Sequence, residues 1–151
     1  KIFGSKYVVV IGITPKQGDI YQSAVLEKVQ RLTNKLRETP GVVRENLLSL
    51  SARKAKDILG TAEGMEVRPL MVEVPRSAEA MQRLRAAVQR NSAYHNSIVA
   101  KDGRTTAVLA EFRDAGGGGF REIMANIEPL LAAERDATVD IAVGGLPDFL
   151  A

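Results

Sequence analysis

The run "KYVVVIGIT" (6–14) sets the tightest limit on what this chain can fold into. Most of its residues are β-branched, stiff at χ1 and best packed on a pleated surface. Almost no polar side chain interrupts the run, so it predicts a buried central strand, and "PKQGD" after it predicts a turn. Over 20–39 the spacing changes: Val25, Val29, Leu32 and Leu36 recur every three or four residues, with Lys28, Arg31 and Lys35 expected on the opposite side. That is the period of a helix with one apolar face. "TPGV" should end it, because Pro40 cannot continue a helix and Gly41 suits a turn. "VVRENLLSL" (42–50) then reads as a second strand.

The stretch 51–76 is less regular. Within it "EVRPLMVEV" can supply a short edge strand, since Pro69 has no N–H to give a central ladder. "RSAEAMQRLRAAVQRN" (76–91) predicts an amphipathic helix with Ser77 as N-cap and Met81, Leu84 and Val88 as its stripe. "NSIVAKDGRTTAVLAEFRD" predicts a hairpin turning at Asp102-Gly103. Four glycines (116–119) lead to a further helix, "FREIMANIEPLLAAERD", which Pro129 should kink or divide. "TVDIAVGG" (138–145) is the last strand. With 51–103 set aside, the order is strand, helix, strand, strand, helix, strand. This is the α+β, ferredoxin-like split βαβ arrangement, carrying an inserted helix and hairpin. The expected sheet uses 6–14, 42–50, 104–113 and 138–145, with helices 20–39 and 120–134 on one face.

A chain of 151 residues, 45% of them hydrophobic, is expected to form one domain with an ordinary core over 1–151. The net charge of +3 comes from cations spread along the chain, and aromatics are only 5% with no Trp. A nucleic-acid groove concentrates cations among stacking aromatics, so no nucleic-acid partner is expected. Without cysteine there are no disulfides, thiol nucleophiles or thiolate metal sites. No apolar run approaches the roughly 20 residues that span a bilayer.

Little in the sequence suggests chemistry. His95, the only histidine, sits in "NSAYHNS" with no partner specified, and a surface or capping role is expected for it. A metal site would then depend on carboxylates alone, so none is expected. "AGGGGF" precedes a helix start, where anions can bind, but lacks the Lys-Ser or Lys-Thr of a phosphate loop and reads as a linker. Asp102, Asp114, Asp136 and Asp140 fall in turns or near strand ends, and no acid–base pair is expected among them. Ser23 and Ser77 read as helix-start residues. "RLRAAVQR" reads as a solvated basic face. Met65, Met71, Met81 and Met124 read as core or interface packing. The expectation is no enzyme, no cofactor and no catalytic residue, with the ligand-binding residues left open.

Several phrases carry a resemblance. "FGSKYVVVIGI", "LEKVQRLTNKLRETPGV", "GMEVRPLM", "DGRTTAVLAEF" and "VGGLP" occur in this order and are spread from Phe3 to Pro147. The series resembles the first extracytoplasmic loop of exporters of the resistance-nodulation-division (RND) superfamily, in particular the lipid-exporter-like branch labelled MMPL. The resemblance implies a soluble porter domain at the periplasmic face of the bacterial inner membrane, within a multi-pass, proton-driven pump. Its partners would be the second extracytoplasmic loop and the transmembrane helices of the same transporter, an apolar or lipid-like substrate and, in a homo-oligomer, further copies of itself. The proton-carrying residues of such pumps lie in membrane helices, and none maps onto this sequence.

In that setting the chain is expected to be cut from between two membrane helices, since it lacks an initiator Met and ends on Phe149, Leu150 and Ala151. Gly145 and Pro147 would turn the chain out of its last strand. Thr106, Val108 and Ala110 would face one side of theirs. "GMEVRPLM" is the favoured place for a domain contact or ligand lip, against the plainer reading of an edge strand on its own sheet. The alternative function is a stand-alone ligand-sensing or regulatory module, because ferredoxin-like folds host many such domains.

Overall fold

The computed structural model describes residues 6–95, 97–113 and 118–147. Its main sheet has the order β4-β1-β5. β1 (Lys6–Pro15) lies at the centre, antiparallel to both β4 (Thr106–Arg113) and β5 (Val139–Pro147). Val9, Ile11 and Ile13 point to one face and are fully buried. Thr106, Val108, Ala110 and Phe112 of β4 alternate onto the same face, as expected for a strand of period two. Two helices cover that face, α1 (Ser23–Arg37) and α4 (Gly119–Glu134).

The expected second strand, 42–50, is only partly formed. It meets β4 at two isolated bridges, Val42 with Phe112 and Leu48 with Leu109. Six residue steps on one side thus face three on the other, and the surplus coils into a 3-10 turn at Arg44–Asn46. Counting this broken strand outside β4, the order is that of a ferredoxin-like sheet, and the fold is α+β of that type. Gly41 makes the approach possible. Its φ is +86°, and a Cβ there would stand 2.8 Å from the carbonyl oxygen of Arg113, which only glycine tolerates.

The insertion holds a second sheet. β2 (Lys56–Thr61) and β3 (Gly64–Pro69) form a hairpin closed by the two residues Ala62 and Glu63. This was expected only as one short edge strand. α2 (Ala78–Arg90) begins where anticipated, with the Ser77 side chain accepting from the Ala80 N–H at 3.0 Å. α3 (Ser92–His95) is a single turn after it. The hairpin predicted at Asp102-Gly103 forms with Gly103 at φ +72°, but its first arm reduces to a bridge from Val99 to Thr106. Leu84, Val88, Ile98 and Val99 of the insertion join the same buried cluster as the sheet and helices.

Three further expectations are corrected. Pro129, which is exposed, does not divide α4, and the helix continues past it as one element. Pro129 has no N–H to give the Ala125 carbonyl, and because Ala125 is itself exposed, water can serve in place of that donor. Gly145 does not turn the chain out of β5, since it is paired with Val9, while Pro147, paired with Tyr7, is the last residue of the strand and the chain after it lies outside the described residues. β5 is an edge strand, so the missing N–H of Pro147 costs the ladder nothing on its free side. Lys28 is not on the solvent face of α1 but only 7% exposed. Its Nζ donates to the Glu134 carbonyl at 2.8 Å and to Asp136 Oδ2 at 2.9 Å.

Candidate interaction surfaces

The face of the main sheet turned away from α1 and α4 carries Val8, Val10, Gly12 and Thr14 from β1. Register places Ala107, Leu109 and Glu111 beside them on one side, and Ala142 and Gly144 on the other. An antiparallel sheet with one solvated face ordinarily alternates apolar-in with polar-out. Here the outer set is mostly apolar as well, and Val10 at its centre is 39% exposed. This is the physical origin of the continuous apolar run in β1, which suits a strand covered on both sides. A groove of about 350 Å³ lies where Leu48 and Lys54 come over Val8 and Leu109. Asn46 Nδ2 donates to Glu111 Oε1 at 3.2 Å across it, while the buried Oε2 of Glu111 has no hydrogen-bond partner.

The β2–β3 hairpin is the second surface. Ile58, Met65 and Val67 share one of its faces by register and are 38%, 72% and 57% exposed. The opposite face is polar and anchors the hairpin to α2. Asp57 is buried there and accepts from Arg90 at 2.9 and 3.3 Å and from Asn91 Nδ2 at 2.8 Å, with Arg68 Nε 3.7 Å away. Burial alone would raise the Asp57 carboxyl, but the bonds from Arg90 and Asn91 outweigh it and hold the group below its ordinary value.

The segment favoured as a lip, "GMEVRPLM", is therefore exposed along the whole of β3 and turns inward only at Leu70 and Met71. Alternation of Met65 and Val67 with Glu66 and Arg68 was the available signal for this strand. Its partner β2 was hidden because "KDILGT" contains few strand-forming residues.

A cavity of about 400 Å³ lies between α2 and the turn at 100–103. Val88 and Val99 contribute apolar wall, and Lys101 and Gln89 contribute polar wall. Arg85 lies 4.3 Å from the Tyr21 ring centroid and donates to Asp19 Oδ2 at 3.0 Å. Burial raises the Tyr21 hydroxyl above its ordinary value, and the nearby Arg85 charge offsets part of that.

His95 corrects the expected surface role. It is fully buried, with Nε2 2.8 Å from the Lys56 carbonyl. A carbonyl can only accept, so Nε2 carries the proton. The histidine thereby fastens α3 to β2.

The other singled-out residues do not converge. Asp102 Oδ1 caps its own turn by accepting from the Arg104 N–H at 2.9 Å, and Asp140 lies 3.5 Å from Lys16. Asp136 pairs with Lys28, and Asp114 and Gly116–Gly117 lie outside the described residues. Ser23 opens α1 and donates to the Pro75 carbonyl at 2.5 Å. Met71 is buried, Met81 and Met124 pack partly buried on the core, and Met65 is exposed. Among the described residues no group of His, Asp or Glu is arranged to hold a metal ion, and no helix is long and apolar enough to cross a membrane. No protein-family model matches this chain, and no curated protein sequence matches it.

Proposed function

We propose that this chain is a porter domain of an RND-type exporter of the lipid-exporter-like branch, working at the extracytoplasmic face of the membrane. In this reading it catalyses no reaction and helps form a passage for hydrophobic or lipid-like molecules. The observation that supports it best is the helix-free face of the β4-β1-β5 sheet. Val8, Val10, Ala107 and Leu109 form an apolar surface that no helix among the described residues covers, with only Leu48 and Lys54 overhanging its end at Val8 and Leu109. Such a surface suits a module whose second wall is supplied by another part of a larger protein. The exposed apolar side of the inserted hairpin extends the same character to the lip favoured from the sequence.

The test is the encoding gene and the whole protein made from it. The reading frame should carry apolar segments of about 20 residues on both sides of this chain, and Val10→Asp should reduce export of a fluorescent lipid-like substrate while leaving the amount of protein in the membrane unchanged. A frame without such segments, or export indifferent to Val10→Asp, overturns the reading. A second reading, a stand-alone ligand-sensing module, draws on the cavity between α2 and the turn at 100–103. Its volume, about 400 Å³, lies within the range of small-molecule sites. Saturable binding of a small molecule that is lost in Val99→Trp would favour it.

A further inference from the structure

The two edges of the β2–β3 hairpin are treated differently by the rest of the chain. The Ile58 N–H donates to Asn91 Oδ1 at 3.2 Å, and the Lys56 carbonyl accepts from His95 Nε2. At positions 56 and 58 the backbone of β2 therefore points away from β3, toward α2 and α3. The strand period of two then assigns the ladder to Asp57, Leu59 and Thr61, opposite Arg68, Glu66 and Gly64. The bond from Leu70 N–H to the Ala55 carbonyl, 3.0 Å, continues the same phase. On β3 the outward groups are consequently the N–H and C=O of Met65 and Val67 and the C=O of Pro69. Among the described residues nothing bonds to them, and they form an open edge on a strand that is exposed from Gly64 to Pro69 and paired without a bulge over all six residues. An unbulged edge of unpaired N–H and C=O groups can template another strand, and the charges and the proline that β3 carries restrict which strand fits it.

We infer that the occupant of this edge is a second copy of the same chain, paired antiparallel through β3 about a two-fold axis at Val67. The side-chain pattern is self-complementary in that register and in no neighbouring one. With Val67 opposite its own copy, Glu66 stands directly across from Arg68 of the second copy, and the reverse pair repeats it by symmetry. A two-fold axis at Glu66 would instead oppose two carboxylates, and one at Arg68 two guanidinium groups. The backbone phase agrees. Val67 points outward, so the Val67 pair exchanges two hydrogen bonds. Glu66 and Arg68 fall in the closer, non-hydrogen-bonded pairs, where opposite charges interact best. Pro69 lies across from Met65, and its carbonyl can accept the Met65 N–H.

On the other side of the hairpin, Ile58, Met65 and Val67 of both copies form one apolar strip. Glu66 has no ion-pair partner of its own among the described residues, and Arg68 only the 3.7 Å approach to Asp57. Pairing six residues of strand is a small contact, so the dimer forms in a concentration-dependent way. This inference stands independently of the exporter reading.

The test is sedimentation velocity on the purified 151-residue chain over a concentration series. The chain should pass from monomer to dimer. E66R and R68E should each weaken the dimer about tenfold or more, because two attractive pairs become repulsive. An equimolar mixture of the two variants should dimerise again, since every opposed pair is then of opposite sign. R68E also alters the neighbourhood of Asp57, so V67P provides a check free of that side effect: it removes an N–H that β2 does not use and should abolish dimerisation with the circular-dichroism spectrum unchanged. A chain that stays monomeric at all concentrations overturns the inference. So does a dimer indifferent to E66R and V67P, or a mixture that fails to reassociate while both variants are folded.

Discussion

Glu134 ends α4 in a place that water hardly reaches, at 3% exposure, and holds two cations of α1. Arg31 meets it in a fork, with Nε at 2.9 Å and Nη2 at 2.8 Å from the two carboxylate oxygens, and Lys28 Nζ lies 3.8 Å away. The bond from Arg31 is the main cause holding the Glu134 carboxyl below its ordinary value, and the bond from Lys28 does the same for Asp136. Both groups titrate lower when folded than when unfolded. Their contribution is therefore fully present above the ordinary carboxylate range near pH 4 and is lost as pH falls through the lowered folded values. Glu134→Gln should cost about 2 kcal/mol at neutral pH, a modest figure for a buried ion pair because Asp136 and the position-134 carbonyl still hold Lys28. Urea unfolding at several pH values should show this cost shrinking below about pH 4. A cost that is constant with pH would mean the side chain matters for its shape and not its charge.

Among the elements, the strands differ in what holds them. β1 is paired on both sides and buried along Val9, Ile11 and Ile13. β3 is paired on one side and exposed throughout, so only the ladder to β2 holds it in place. β2 in turn depends on Asn91, Arg90 and His95 at the end of α2 and in α3. Opening the hairpin breaks few apolar contacts, whereas opening β1 dismantles the core. Amide hydrogen exchange in 56–69 should therefore run orders of magnitude faster than in 8–13, and Asn91→Ala should speed it further in the hairpin without touching β1. Equal protection of the two regions would show that the insertion unfolds only with the whole domain. The broken strand 42–48 belongs between these cases, since two bridges and the neighbouring Leu47 and Leu50 hold it to the core.

At the largest scale, among the described residues, the main sheet is covered on one face by helices and is mostly apolar and helix-free on the other. A ligand lying on that open face touches one wall. In a cleft completed by a partner it would touch two, and losing on the order of 100 Å² of apolar contact costs about 2.5 kcal/mol, nearly a hundredfold in affinity. The chain alone should accordingly bind lipids and hydrophobic small molecules only weakly. Calorimetric titration of the monomeric chain measures this, and saturable submicromolar binding at one site would show that a complete pocket lies within these residues.

Sequence determined whatever depends on near neighbours. The period of three and four residues fixed α1 and α2, Ser77 marked the start of α2, and Gly103 marked the turn into β4. The strand–helix order made the ferredoxin-like arrangement legible, because crossovers of that length leave few ways to pair the strands. The inserted hairpin was half visible, in the alternation of β3 but not in the composition of β2. Tertiary structure decided what depends on residues far apart. Lys28, expected on the solvent side, stands three residues after Val25 and four before Leu32, at the flank of the apolar stripe, and its charge can be buried there because Glu134, 106 positions later, brings it an acceptor. His95 is buried because its ring nitrogen reaches Lys56 across 39 residues. The strand expected over 42–50 broke because its register against β4 leaves three residues with no partner. Local preference fixes which backbone shape each segment adopts, but burial, pairing and register are set by whichever distant group arrives alongside.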